Sequence, residues 1–145
     1  MIQNILGRLL APAPERLPEP DARVALAALL VRVARADGQY DAAEIARIDR
    51  VLAQHHGLSP FQAAGLRTEA EVLEASAPDT VRFTRALKAA TDLEDRAAMM
   101  QALWSVALAD NTRDAEEDTL LRLVADLLGL RDVDSALARQ RAAKE

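Results

Sequence analysis

The chain has 145 residues, no cysteine and a formal net charge of −5, a length that suits one domain or one domain with a short tail. Half the residues are hydrophobic but only 3% are aromatic, and 31 Ala with 22 Leu supply 53 of the positions, a balance that favours packed helices over sheets. This excludes a disulfide framework, a Cys-built zinc site and a cysteine nucleophile, and argues against disorder.

Residues 1–10, MIQNILGRLL, carry Ile2, Ile5, Leu6, Leu9 and Leu10 at helical spacing and predict a short amphipathic helix. It either docks on the body of the protein or makes a weak peripheral membrane contact. Residues 11–20, APAPERLPEP, hold four of the six prolines and read as an extended linker. The chain therefore divides at residue 20, with a helical domain over 21–145. Helix 21–36 is apolar nearly all round, as expected for the centre of a bundle. Asp41 opens a helix that runs to His56 and stops at Gly57. Ser59, Pro60 and Gln62 form a start signal for a helix to about Ser76. Asp79 starts another to about Thr91, and Thr91 or Asp92 caps a long one to about Ala109. A helix from Asp114 stops at Gly129, and Asp132 caps a polar terminal one. The expectation is an all-α bundle of seven or eight helices with no strand.

The chain repeats at an offset of 73. Residues 25–44, ALAALLVRVARADGQYDAAE, align without gaps on residues 98–117, AMMQALWSVALADNTRDAEE. Ala25 meets Ala98, Leu30 meets Leu103, Val33 meets Val106, and Ala36-Asp37 meets Ala109-Asp110. Each unit reads as a helix, a four-residue turn and a second helix ending in Gly-Leu. One such hairpin cannot bury its apolar faces alone. Two of them packed about a pseudo-twofold can, with helices 21–36 and 93–109 as the central pair and segment 59–91 joining the halves.

Both turns carry D-x-x-x-D-x-x-E: Asp37, Asp41 and Glu44, then Asp110, Asp114 and Glu117. Asp41 and Asp114 suit the N-cap, and a Glu three residues on completes a capping box. Gly38 and Asn111 suit a left-handed residue after the preceding helix. Asp37 and Asp110 lie at a helix C-terminus, where negative charge is disfavoured. Either hydrogen bonds to the turn's own N–H groups offset this, or the carboxylates supply oxygen ligands to a divalent cation, Ca²⁺ or Mg²⁺. The spacing is not that of an EF-hand. Counted from Asp37 or Asp110, position 12 is Ile48 or Leu121 where that loop needs Glu, so a cation site here is weak and of another kind.

These paired turns, ADGQYDAAE and ADNTRDAEE between helices, resemble the repeated signature of the tellurite-resistance TerB family and the wider TerB-like group of bacterial proteins. The resemblance covers roughly residues 22–130. It implies an all-helical single domain with internal pseudo-symmetry, no catalytic activity, an acidic surface with divalent-metal binding, and stress-response roles, sometimes beside membrane partners. Carried over, the acidic positions are Asp37, Asp41, Glu44, Asp110, Asp114 and Glu117.

Other residues read as structural. His55 and His56 are adjacent, so they diverge by about 100° on a helix and cannot chelate together. In the last turn, partial positive charge is favourable. Phe83, Trp104, Met99 and Met100 read as core. Tyr40 is either an exposed contact residue or a ring packed across the first turn. No nucleophile motif, phosphate-cradling loop or dinucleotide fingerprint is present, so a non-enzymatic protein is expected. The longest apolar run, Val24–Val31, has eight residues, against about 20 for a membrane span. With no secretory signal the expected address is cytoplasmic. The 16 Arg and 2 Lys are scattered, which argues against nucleic-acid binding and leaves a protein partner as the expectation.

Overall fold

The computed structural model describes residues 21–77, 79–109 and 115–145. Among them are seven helices and no strand: α1 (Ala22–Arg35), α2 (Ala42–His56), α3 (Pro60–Ser76), α4 (Val81–Ala90), α5 (Leu93–Ala107), α6 (Ala115–Leu127) and α7 (Asp132–Ala143). The expected amphipathic segment 1–10, the linker 11–20 and the second acidic turn, 110–114, lie outside the described residues.

The helix ends are set by the side chains their sequences supply. Asp21 accepts the Val24 N–H at 3.0 Å, Asp41 the Glu44 N–H at 3.0 Å, and Asp92 the Asp95 N–H at 2.9 Å. Ser59 and Gln62 form the expected reciprocal box at 3.1 and 3.0 Å, which satisfies two otherwise orphaned donors. At the start of α7 the capping role falls to Asp134, not Asp132. The Asp134 carboxylate reaches back to the Arg131 N–H at 3.0 Å, and Asp132 is already helical. Gly57 ends α2 with φ 64°, and Gly129 follows α6 with φ 76°. Both are left-handed positions that disfavour any residue with a Cβ.

α1 is the central rod. Every residue from Val24 to Val31 is buried, as are Val33 and Ala34. It packs against α2, α3, α4, α5 and α6, and its five Ala side chains keep the helix narrow enough for those neighbours to approach. α5 is the second rod, with Met99, Met100, Leu103 and Val106 buried. Phe83 on α4 is fully buried, as expected.

The packing follows a similar scheme around each rod. α1 packs on α2 and α3, α5 packs on α6 and α7, and the two rods touch each other. Segment 59–76, expected as a connector, is therefore the third helix of the first half. Its counterpart is α7. Among the described helices, α4, at residues 81–90, connects the halves along the chain.

Candidate functional site

The corner between α1 and α2 is built from ADGQYDAAE. Past Arg35 the chain makes a last turn, in which the Gly38 N–H donates to the Arg35 carbonyl at 3.0 Å. Gly38 then takes φ 82°, a conformation open to glycine at no steric cost. Asp37 folds its carboxylate over this turn and accepts the Gln39 N–H at 2.8 Å. The charge at the helix C-terminus is thus offset by an Asx-type bond. Asp41 caps α2, and in return its own N–H donates a longer bond, 3.4 Å, to Glu44 Oε1.

The three acids do not share a surface. Asp41 is exposed and Asp37 half-buried, but Glu44 is fully buried. Glu117, its counterpart on α6, is also buried. The expectation that every carboxylate of the repeat faces solvent is corrected for these two. The reason is helical phase. Glu44 stands four, seven and eight residues before Ile48, Val51 and Leu52, the buried stripe of α2. Glu117 has the same spacing to Leu121, Val124 and Ala125, all buried. Residues so spaced lie on one face, so the acid opens the core-facing stripe in both units. Asp110 and Asp114 lie outside the described residues. Among the described residues, no group of three His, Asp or Glu is placed to hold a metal ion.

Tyr40 packs across the turn. Its ring lies under the Arg35 guanidinium, 4.9 Å from carbon to centroid, and its hydroxyl donates to Glu71 Oε2 at 2.7 Å. Burial, and next the bond to that carboxylate, push the phenol well above its ordinary pKa. Around it runs a polar network that the sequence reading missed. Arg35 and Arg32 on α1 both reach Glu74 on α3, at 2.9 and 3.3 Å. Arg32 also donates to the Ala77 carbonyl at 2.6 Å and the Thr80 hydroxyl at 3.2 Å. Arg67 on α3 joins Glu71 at 3.2 Å to Asp49 on α2 at 2.6 Å. The available signal was Arg32 and Arg35 in the last turn of a largely buried apolar helix, since guanidinium heads drawn away from bulk water need partners.

His56 departs from expectation. Burial, followed by the charges of His55 and Arg23, lowers its pKa from 6.5 to about 4. It is neutral near pH 7, so a charge–dipole attraction does not explain its place. Its ring instead stands edge-on to that of His55, with centroids 4.8 Å apart.

Helical hairpins around two apolar rods, with an acidic corner pinned by its own backbone, define an all-α module of the tellurite-resistance type. A family model described as tellurite resistance protein TerB matches residues 23–140, and the chain belongs to the TerB family. The match extends past residue 130 and takes in most of α7, in keeping with that helix being part of the repeated scheme. No curated protein and no solved structure is similar enough to the chain to count as a match. Among the described residues, no helix is long and apolar enough to cross a membrane.

Proposed function

We propose that this chain is a non-enzymatic, cytoplasmic recognition module of a bacterial, tellurite-related stress response, and that the Asp37–Asp41 corner is the surface it presents to a basic protein partner. The observation that carries this reading is the fixing of both carboxylates by the turn's own N–H groups, at 2.8 and 3.0 Å. Tyr40, between them, is anchored to α3 through Glu71. A corner held this way loses little conformational entropy on binding. A pull-down of the partner that persists in EDTA and fails with Asp37→Arg supports the reading. Capture unchanged by Asp37→Arg refutes it.

The second reading is a weak Ca²⁺ or Mg²⁺ site. In support, Oδ1 of Asp37 and Oδ1 of Asp41 are the atoms that serve the turn, which leaves Oδ2 of each for a hard cation. Asp110 and Asp114 are the further oxygens of the repeat, Glu44 and Glu117 being turned into the core. Millimolar Ca²⁺, Mg²⁺ or Mn²⁺ then shifts the amide resonances of both turns, and Asp37→Ala with Asp110→Ala abolishes the shift. Resonances that stay in place at both turns rule the cation out.

A further inference from the structure

α3 has an outer face that nothing in the described residues covers. Phe61 is 88% and Val72 71% exposed. Gly65, Thr68 and Ala75 are exposed as well. Positions 61, 65, 68, 72 and 75 fall at helical spacing on one side. Gly65 costs this helix about 1 kcal/mol relative to Ala, although a Cβ there would meet nothing within 4 Å. The small residue is unexplained within the described bundle and leaves room for a second backbone to approach. Glu69 is exposed beside the stripe.

We propose that residues 1–10 of the same chain cover this face. Three observations name that occupant. The first is place: Asp21 and Val24, where the described chain begins, line one depression with Glu69, Val72, Leu73 and Ser76 of α3. The second is reach. Ten residues of proline-rich linker span about 30 Å when extended, and α3, at 17 residues, is about 25 Å long. The linker can therefore deliver residues 1–10 to any point along it. A ten-residue helix is about 15 Å long, and Phe61 to Val72 spans about 16 Å. The third is chemistry: Ile2, Ile5, Leu6, Leu9 and Leu10 match the exposed apolar stripe, and Glu69 offers Arg8 an ion-pair partner. This apolar contact is distinct from the acidic corner and stands or falls independently of it.

The absence of native cysteine makes a cross-linking test direct. The full chain carrying Leu6→Cys and Val72→Cys is oxidised at low micromolar concentration and compared with Leu6→Cys and Gln140→Cys, Gln140 being exposed on α7. Tethering raises the effective concentration of a correctly placed pair toward millimolar. The expected result is an intramolecular disulfide at Val72 forming about tenfold or more faster than at Gln140. Equal rates overturn the proposal, and so do cross-linked dimers as the main product, which would make a second copy the occupant. In a second measurement, deleting residues 1–20 shifts the Gly65 and Val72 resonances, and unchanged resonances refute the contact. Phosphatidylglycerol vesicles provide the last arm. Binding through residues 1–10, with no preference for Val72 in the cross-link, assigns the segment to a lipid surface and overturns the proposal.

Discussion

Where α1 meets α3, two arginines and a glutamate cross the joint; where α5 meets α7, an indole does. Arg32 and Arg35 converge on Glu74, whereas Trp104 donates its ring N–H to Ser135 Oγ at 3.1 Å under the guanidinium of Arg139, 5.2 Å from the ring. At the repeat offset, Arg32 corresponds to Ser105 and Arg35 to Leu108. Ser105 faces another way, accepting from Arg47 of α2 at 3.0 Å. The two joints therefore share placement but not fasteners. What repeats is the apolar helix surface, whose non-directional attraction tolerates substitution. Hydrogen-bonded pairs need particular atoms at particular distances, and each half has its own set.

The largest effect should fall on what the halves share. Leu30 and Leu103, equivalent in the repeat, are both fully buried. Leu30→Ala and Leu103→Ala should each cost about 2–5 kcal/mol in urea unfolding. A large loss at one and a negligible loss at the other would break the equivalence of the rods. The fasteners come next. The Glu74 side chain is only 13% exposed and serves both arginines, so Glu74→Ala should cost about 1–3 kcal/mol by removing the one carboxylate that two part-buried guanidinium groups share. Trp104→Phe keeps most of the packing and loses one hydrogen bond, about 0.5–1.5 kcal/mol. Finding the indole the stronger of the two would reverse the comparison.

The smallest effect is a pH dependence confined to the first half. The folded-state pKa of His56 is depressed to about 4, so the unfolded chain takes up this proton first. His56 thus contributes stability above about pH 6.5 that is lost as the pH falls toward 4. His56 is half-buried, and partial solvent screening keeps the contribution near or below about 1 kcal/mol. His56→Gln should flatten the fall in urea midpoint between pH 7 and pH 5. An unchanged slope would remove His56 from the account.

Much of the architecture is legible in the sequence because it rests on local rules. Asp21, Asp41, Ser59 and Asp92 start helices by bonding N–H groups three residues away, and Gly57 stops one through its own φ. The Asx bond of Asp37 was foreseeable for the same reason, being two residues long. The burial of Glu44 and Glu117 was also legible in the spacing to the leucines and valines that follow them. It was hidden by reading the two acids as capping-box ends and as cation ligands on an acidic surface, both of which keep a carboxylate near solvent.

The amino-acid sequence by itself determined the helices, their caps, the duplicated hairpin and the family, since each depends on contacts within a few residues or on the recurrence of a pattern. The tertiary structure alone decided that α3 joins α1 as α7 joins α5, that Glu74 collects two arginines from 42 and 39 positions away, and that His56 is held neutral. These outcomes depend on which faces meet across the bundle and on how much water they exclude. Neither quantity is carried by any short stretch of the chain.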